Sequence, residues 1–318
     1  MIEVFTEAFG TMLGAVGRIF IIIVGAGLLV RKGIISDEQV KALSKVTVNI
    51  LLPAMLFSKI SSSFRPGEIA YWWMIPLSSA TMIFIGIALG YLFYFRKAHE
   101  KQFLFPLASM QNAIYLVLPI GMFMYPDEFD RYTLYNFLYL IGFMPIVWSI
   151  GKVLITGSSF KTVKAREFVT PPLVSALATL MLVFLGLHRF VPSMVMDAVG
   201  LVGDATIPVS NIVLGATLGS ISLKQFPKLS DLIKLSVIKY MLLPLIVLAV
   251  IYLTGLKQIN PLLANMLMIE SAAAPATALI LQVRAYGGDR QTIGSIMLIS
   301  YGICLLAIPF WVAVLQLV

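Results

Sequence analysis

Ser109-Met110-Gln111-Asn112-Ala113-Ile114-Tyr115-Leu116-Val117-Leu118-Pro119-Ile120-Gly121 and Glu270-Ser271-Ala272-Ala273-Ala274-Pro275-Ala276-Thr277 are the two stretches on which the fold turns. Each lies in an apolar run long enough to cross a membrane, with a proline near its middle preceded by small or polar residues. Proline removes one backbone donor and clashes with the carbonyl four residues earlier. Unwound backbone at that depth survives only where it is buried in protein or lines a wet cavity. Two such positions predict two interrupted helices meeting near the midplane. The positive N-terminal ends of their second halves would then face a common site, which suits a carboxylate. The plainer alternative is that both prolines only kink helices to fit their neighbours.

Outward from these stretches the same composition continues. Of 318 residues, 59% are hydrophobic and 12% charged, against roughly a quarter charged in ordinary soluble domains. A mean hydropathy of +0.95 leaves too little polar surface to cover a soluble particle. Lipid is therefore the expected solvent for most of the outer face. Apolar runs of about 20 residues, the length that spans a hydrocarbon core, fall at 9–30, 42–60, 70–95, 103–125, 132–155, 170–190, 196–220, 232–254, 261–283 and 292–317. The expected class is an all-α integral membrane protein with ten transmembrane helices, of which the fourth and ninth are broken and crossed.

The net charge of +8 suits a nucleic-acid partner or a membrane surface, and the positions of the cations decide for the bilayer. They occupy short connections, with no basic tail and no basic helix face. Sixteen lysines and arginines, among them Arg31, Arg96, Lys97, Lys101, Lys164, Arg166, Lys224 and Lys234, fall on one side. Five fall on the other: Lys59, Arg65, Arg131, Arg189 and Lys257. The positive-inside bias predicts a plasma (inner) membrane protein with both termini outside the cytoplasm, and no nucleic acid. The first seven residues carry Glu3 and Glu7 and no cation, so the first run reads as a retained span and not as a signal peptide. Cys304 reads as a small buried side chain. The two histidines, His99 and His188, stand beside span ends, and no H-E-x-x-H, G-x-S-x-G or P-loop pattern occurs. An enzyme is not expected, and neither is a metal centre.

The prolines repeat. Pro53 and Pro208 are 155 apart, Pro106 and Pro261 also 155, and Pro119 and Pro275 156. Asn49 precedes Pro53 by four residues as Asp204 precedes Pro208, and Tyr115 and Ser271 stand four before their prolines. Duplication predicts two five-helix repeats, 1–155 and 156–318, and an odd number of spans inverts the second copy. Inverted repeats of this kind are typical of secondary transporters.

Side chains near the two stretches supply candidates. Gln111 and Asn112 offer amides, Tyr115 a phenol, and Ser271 and Thr277 hydroxyls. With Pro119 and Pro275 they form the expected substrate site, Asn112 first among them. Asn49, Pro53, Pro208 and Asn211 would face it from the other spans. Asp204, Pro208 and Asn211 are spaced as one face of span seven. Ionisable groups at membrane depth read as functional; Asp204 and Glu270 are the candidates for proton or cation coupling, and no other cofactor is expected. Lys239 reads as a side chain snorkelling to the cytoplasmic surface, and Arg18 is ambiguous.

Three segments carry a family resemblance: LSKVTVNILLPAMLFSKI from Leu43 to Ile60, the stretch Asn112 to Pro119, and ESAAAPATALILQVRAYGGDRQTIGSIMLISYGICLLAIPF from Glu270. On these the chain resembles the auxin efflux carrier family in its prokaryotic form, over essentially its whole length. The resemblance implies an inverted five-plus-five fold like that of sodium/proton antiporters and bile acid symporters. It implies a scaffold of spans 1, 2, 6 and 7, often homodimeric, and a moving domain of spans 3–5 and 8–10. Plant members export auxin, an indole carboxylate, and bacterial relatives are linked to malate or malonate. Asn112 matches the crossover asparagine with which the plant carriers hold the carboxylate. Glu270 departs from many relatives.

The expected function is a secondary carrier for a small organic anion, working by an elevator or rocking movement. Two alternatives stay open: a cation/proton antiporter or sodium-coupled symporter using Asp204 or Glu270, and a membrane receptor that binds a ligand without moving it.

Overall fold

The structure is a computed structural model and describes residues 1–65, 67, 71–163, 169–221 and 226–318. Three of the cations behind the expected orientation, Lys164, Arg166 and Lys224, lie outside the described residues. The described chain is helical throughout, and its one β feature is an isolated antiparallel bridge between Gln111 and Pro275. The helices are α1 (Ile2–Arg31), α2 (Asp37–Ser63), α3 (Met74–Phe93), α4 (Leu104–Ser109), α5 (Ala113–Met124), α6 (Phe129–Thr156) and α7 (Pro171–Phe184). They continue with α8 (Ser193–Asp204), α9 (Thr206–Gly219), α10 (Leu229–Thr254), α11 (Pro261–Ala272), α12 (Thr277–Tyr286) and α13 (Arg290–Leu317).

Seven helical stretches among the described residues are long and apolar enough to span a bilayer: α1, α2, α3, α6, α8 with α9, α10 and α13. Their outer faces carry large apolar side chains such as Ile21, Leu201 and Leu253, which are 75%, 76% and 81% exposed. A continuous apolar exterior of this kind is stable only against lipid. The protein is thus an all-α, multi-pass membrane protein.

Three of the prolines do not break their helices. In α2, α5 and α10 a five-residue π-helical turn (Thr47–Leu51, Ala113–Val117, Ile238–Leu242) is followed by one leucine and then by Pro53, Pro119 or Pro244. The wider turn takes up the clash between the proline ring and the carbonyl one turn back, so the helix continues. Pro119 is therefore not the interruption expected of it. The chain leaves the helix at Met110–Asn112, well before Pro119, whereas Pro275 lies within its own interruption. Ala113 and Thr277, which open the second halves, are 164 residues apart, against 155 and 156 for the proline pairs.

Glycines set the close approaches. A Cβ on Gly219 would stand 2.5 Å from the Gly27 Cα, and one on Gly215 would overlap the Ile23 carbonyl. The backbones of α1 and α9 therefore touch, as small residues permit between helices in lipid. On the other side α2 packs against α7 and α8, α3 against α6 and α4, and α11 against α13 and α10. Between α12 and α13, Gly287 and Gly288 have φ of +96° and +128°, a region costly for residues with a Cβ. They turn the chain so that Asp289 caps α13 by accepting from the Thr292 N–H at 3.0 Å. Burial pushes the Asp289 carboxyl up, but hydrogen bonds from Thr292 and Gln291 outweigh it and hold the group below its ordinary range.

Two polar readings are corrected. Lys239 does not reach the surface: it is 0% exposed, because its π-turn faces the packed helices α3, α4 and α11. Asp204, Pro208 and Asn211 do not share an environment. Asp204 and Pro208 are exposed, whereas Asn211, three residues beyond Pro208 in the same helix, is buried against the neighbouring helices. Arg18 lies exposed on α1 with its guanidinium 5.6 Å from the centre of the Phe123 ring.

Candidate functional site

The two interruptions satisfy each other. The Asn112 N–H donates to the Ala274 carbonyl at 2.8 Å, and the Ala276 N–H donates to the Met110 carbonyl at 2.9 Å. These bonds flank the facing pair Gln111 and Pro275, which is the non-hydrogen-bonded position of an antiparallel ladder. A residue there needs no N–H for the ladder, so proline at 275 loses no bond while its ring stops α11. Buried backbone groups must find partners, and here each interruption supplies them to the other.

Side chains lock this junction. Asn112 caps α5 by accepting from the Tyr115 N–H at 3.0 Å, and its Nδ2 donates to the Tyr301 hydroxyl at 2.5 Å. Tyr301, on α13, in turn donates to the Pro275 carbonyl at 3.1 Å. One phenol thereby ties both interruptions to a third helix. Gln111 Nε2 donates to the Tyr139 hydroxyl and faces the Met82 sulfur at 3.0 Å. Asn136, on α6, donates to the Ala113 carbonyl at 3.2 Å and to Glu270 Oε1 at 3.0 Å.

A cavity of about 90 Å³ opens beside the junction. Gln111, Asn112, Tyr115 and Thr277 border it, as do Trp148 and Thr170. Among the described residues, no backbone carbonyl takes the N–H of Ile114, Thr277 or Ala278, all three at the cavity and in the first turns of α5 and α12. Trp148 Nε1, Thr170 Oγ1 and Gln111 Oε1 are also buried without a hydrogen-bond partner. Among the described residues, no Lys, Arg, Asp or Glu lines it. Unpaired N–H groups at helix N-termini, with no charged side chain among the described lining residues, form a neutral donor cluster suited to an anion.

Of the residues expected from sequence, the fold brings Gln111, Asn112, Tyr115, Pro275 and Thr277 together. Pro119 is buried within α5 and does not border the cavity. Ser271 is buried in α11, and its hydroxyl bonds back to the Met268 carbonyl at 2.7 Å. Asn49 is exposed and Pro53 partly so on α2, while Asn211 is buried on α9 with its Oδ1 unpaired. None of these, nor Pro208, borders the cavity. Glu270 is fully buried behind the junction and faces Asn136. Asp204 is apart from it, 66% exposed and 3.7 Å from Lys59. Sequence reading missed Trp148, Thr170, Asn136, Tyr139 and Tyr301. A signal existed for Asn136 and Tyr139: Tyr132, Tyr135, Asn136, Tyr139 and Phe143 recur at helical spacing on α6.

An apolar multi-pass helical protein with a buried neutral-donor cavity between two interrupted helices is, as a class, a membrane transporter. The family model described as "Membrane transport protein" matches residues 11–162 and 153–312. The chain belongs to that family, the auxin efflux carriers, as a prokaryotic-type member. An uncharacterised transporter of Methanocaldococcus jannaschii is 25% identical over 285 residues, covering 88% of this chain and 91% of the relative. An uncharacterised transporter of Methanothermobacter thermautotrophicus is 22% identical over 291 residues, covering 89% and 91%.

Proposed function

We propose that this transporter is a secondary carrier that moves a small organic anion, a carboxylate, through the cavity beside the junction by alternating access. The carrying observation is the set of unpaired N–H donors of Ile114, Thr277, Ala278 and Trp148 around a cavity with no charged side chain among its described lining residues. In this reading α4 with α5 and α11 with α12 are the broken fourth and ninth of ten spans, in two inverted repeats of five. Spans 1, 2, 6 and 7, the last formed by α8 and α9, make the scaffold and a homodimer contact. Spans 3–5 and 8–10 carry the site. Mostly apolar lining favours a substrate with one carboxylate on an apolar body. The test is a thermal-shift screen of the purified protein against carboxylates and their uncharged amides. Carboxylates should stabilise and amides should not. Stabilisation by neither, with stabilisation by sodium or protons alone, would transfer the function to the cation/proton antiporter reading, which the buried carboxylate of Glu270 favours.

The same proposal places the protein in the plasma membrane with both termini outside. Cys304 is the sole cysteine and is buried, so introduced thiols report alone. A cysteine at Ser159 should react with an impermeant label only from the cytoplasmic side, and one at Asp127 only from outside. The reverse pattern would invert the orientation.

A further inference from the structure

Away from the junction, cations gather at the end of α3. Arg96, Lys97, Lys101, Lys228 and Lys234 all line one cleft of about 510 Å³. Among its described lining residues Asp231 is the one acid, and its Oδ2 is taken by Lys101 at 2.5 Å. Arg96, Lys97, Lys228 and Lys234 have no carboxylate within 4.0 Å among the described residues.

Packing assembles this cleft from two distant segments. The Lys101–Asp231 pair joins residues 130 apart in the chain, and beside it the Tyr94 hydroxyl donates to the Asp231 carbonyl at 3.1 Å. Tyr94 and Asp231 are buried, and the Lys234 Nζ stands 5.1 Å from the centre of the Tyr94 ring. The positive-inside bias accounts for cations in the connections, but not for four of them lining one concavity. Like charges held together repel, and a low-dielectric wall strengthens the repulsion. Such a cleft is stabilised by taking an anion, and guanidinium and ammonium groups suit phosphate oxygens.

The rim says what kind of anion. Leu92 and Phe95 line the same cleft and are 68% and 65% exposed, part of the apolar exterior that only lipid covers. A second groove adjoins the first and shares Phe95, Arg96 and Lys97 with it. Ile87, Tyr91 and Leu154 line that groove, with Glu100 its one acid among the described lining residues. Apolar surface therefore runs from the cations back along α3. A phosphate on an apolar chain uses both spaces, whereas a soluble anion uses only the first.

We propose that this cleft binds the headgroup of an anionic phospholipid, with phosphate on Arg96, Lys97, Lys228 and Lys234 and an acyl chain along Ile87, Tyr91 and Leu154. The bound lipid bridges the connection between α3 and α4 to the start of α10. It lies apart from the junction cavity, so the proposal does not depend on the substrate reading.

The test uses the purified full chain in detergent, titrated with tetraoleoyl cardiolipin, dioleoylphosphatidylcholine or inorganic pyrophosphate while melting is followed. Cardiolipin should raise the melting temperature saturably, and the other two should not. Arg96→Gln with Lys228→Gln removes one cation from each segment and leaves the Lys101–Asp231 pair intact. This variant should weaken the cardiolipin effect on the order of tenfold or more in lipid concentration. Lys41→Gln with Lys45→Gln, two exposed cations of α2 outside the cleft, should leave it unchanged. Equal weakening in both double variants would mean that net charge alone attracts the lipid, and would overturn the site. So would a wild type indifferent to cardiolipin, or one stabilised as well by pyrophosphate or phosphatidylcholine.

Discussion

Glu270→Leu should be among the more destabilising single substitutions among the buried polar residues, costing about 1–3 kcal/mol, the range for leaving a buried hydrogen-bond partner unsatisfied. Leucine fills a similar volume, so the loss does not come from a cavity. It comes from freeing the Asn136 Nδ2 now donating to Glu270 at 3.0 Å, and from removing the acid within electrostatic reach of the fully buried Lys239. The signature is in the double variant. Adding Lys239→Met should restore part of the loss, because it removes the buried amine left without that acid. Denaturation of the four proteins of this cycle, in one detergent at one pH, gives the coupling directly. Additive losses would show that the two groups do not act on each other.

Asn112 should give the largest effect on ligand binding, and the choice of substitution matters. Its side chain has two structural duties: the cap on the Tyr115 N–H and the bond to the Tyr301 hydroxyl. Asn112→Ala removes both, so lost stability and weaker binding arrive together. The lost cap accounts for about 1 kcal/mol, and a lost bond to a charged ligand group for about 1.5–3 kcal/mol. Asn112→Asp separates them. An aspartate oxygen can still accept from Tyr115, but its charge sits at the first turns of α5 and α12, where the anion would be. Asn112→Asp keeps the cap but loses the donation to Tyr301, so it should melt below the wild type while losing carboxylate-induced stabilisation altogether. The check is a titration of both variants with the best carboxylate of the screen. Undiminished affinity in Asn112→Asp would remove this residue from the binding site.

Glu270 and Asn112 both stand out in the sequence, but the size and sign of each expected effect come from tertiary contacts. The apolar runs, the few charges and their placement in connections already required a helical membrane protein, because composition decides which solvent a surface can face. The polar and small residues around 111 and 275 marked the candidate site for a similar reason: polar backbone or side chains at membrane depth need partners. Such signals are local and survive in one dimension.

What the helices do at their prolines was not local. A proline frees one carbonyl and crowds another wherever it stands, yet Pro53, Pro119 and Pro244 are absorbed by π-helical turns while Pro275 lies in a true interruption. The difference is the partner. Only at 275 does a second extended segment, from 110 to 112, arrive to take up the free backbone groups. Lys239 follows the same rule. A lysine one helical turn from either outcome snorkels when its face meets water or headgroups, and is buried when helices close over it, as α11 and its neighbours do here. Tyr301 and Asn136 likewise gain their roles from helices more than a hundred residues away in the chain. Sequence by itself determined the solvent, the helices and the polar positions within them; which of those positions meet was decided by packing, because a buried polar group is tolerated only beside the particular partner that satisfies it.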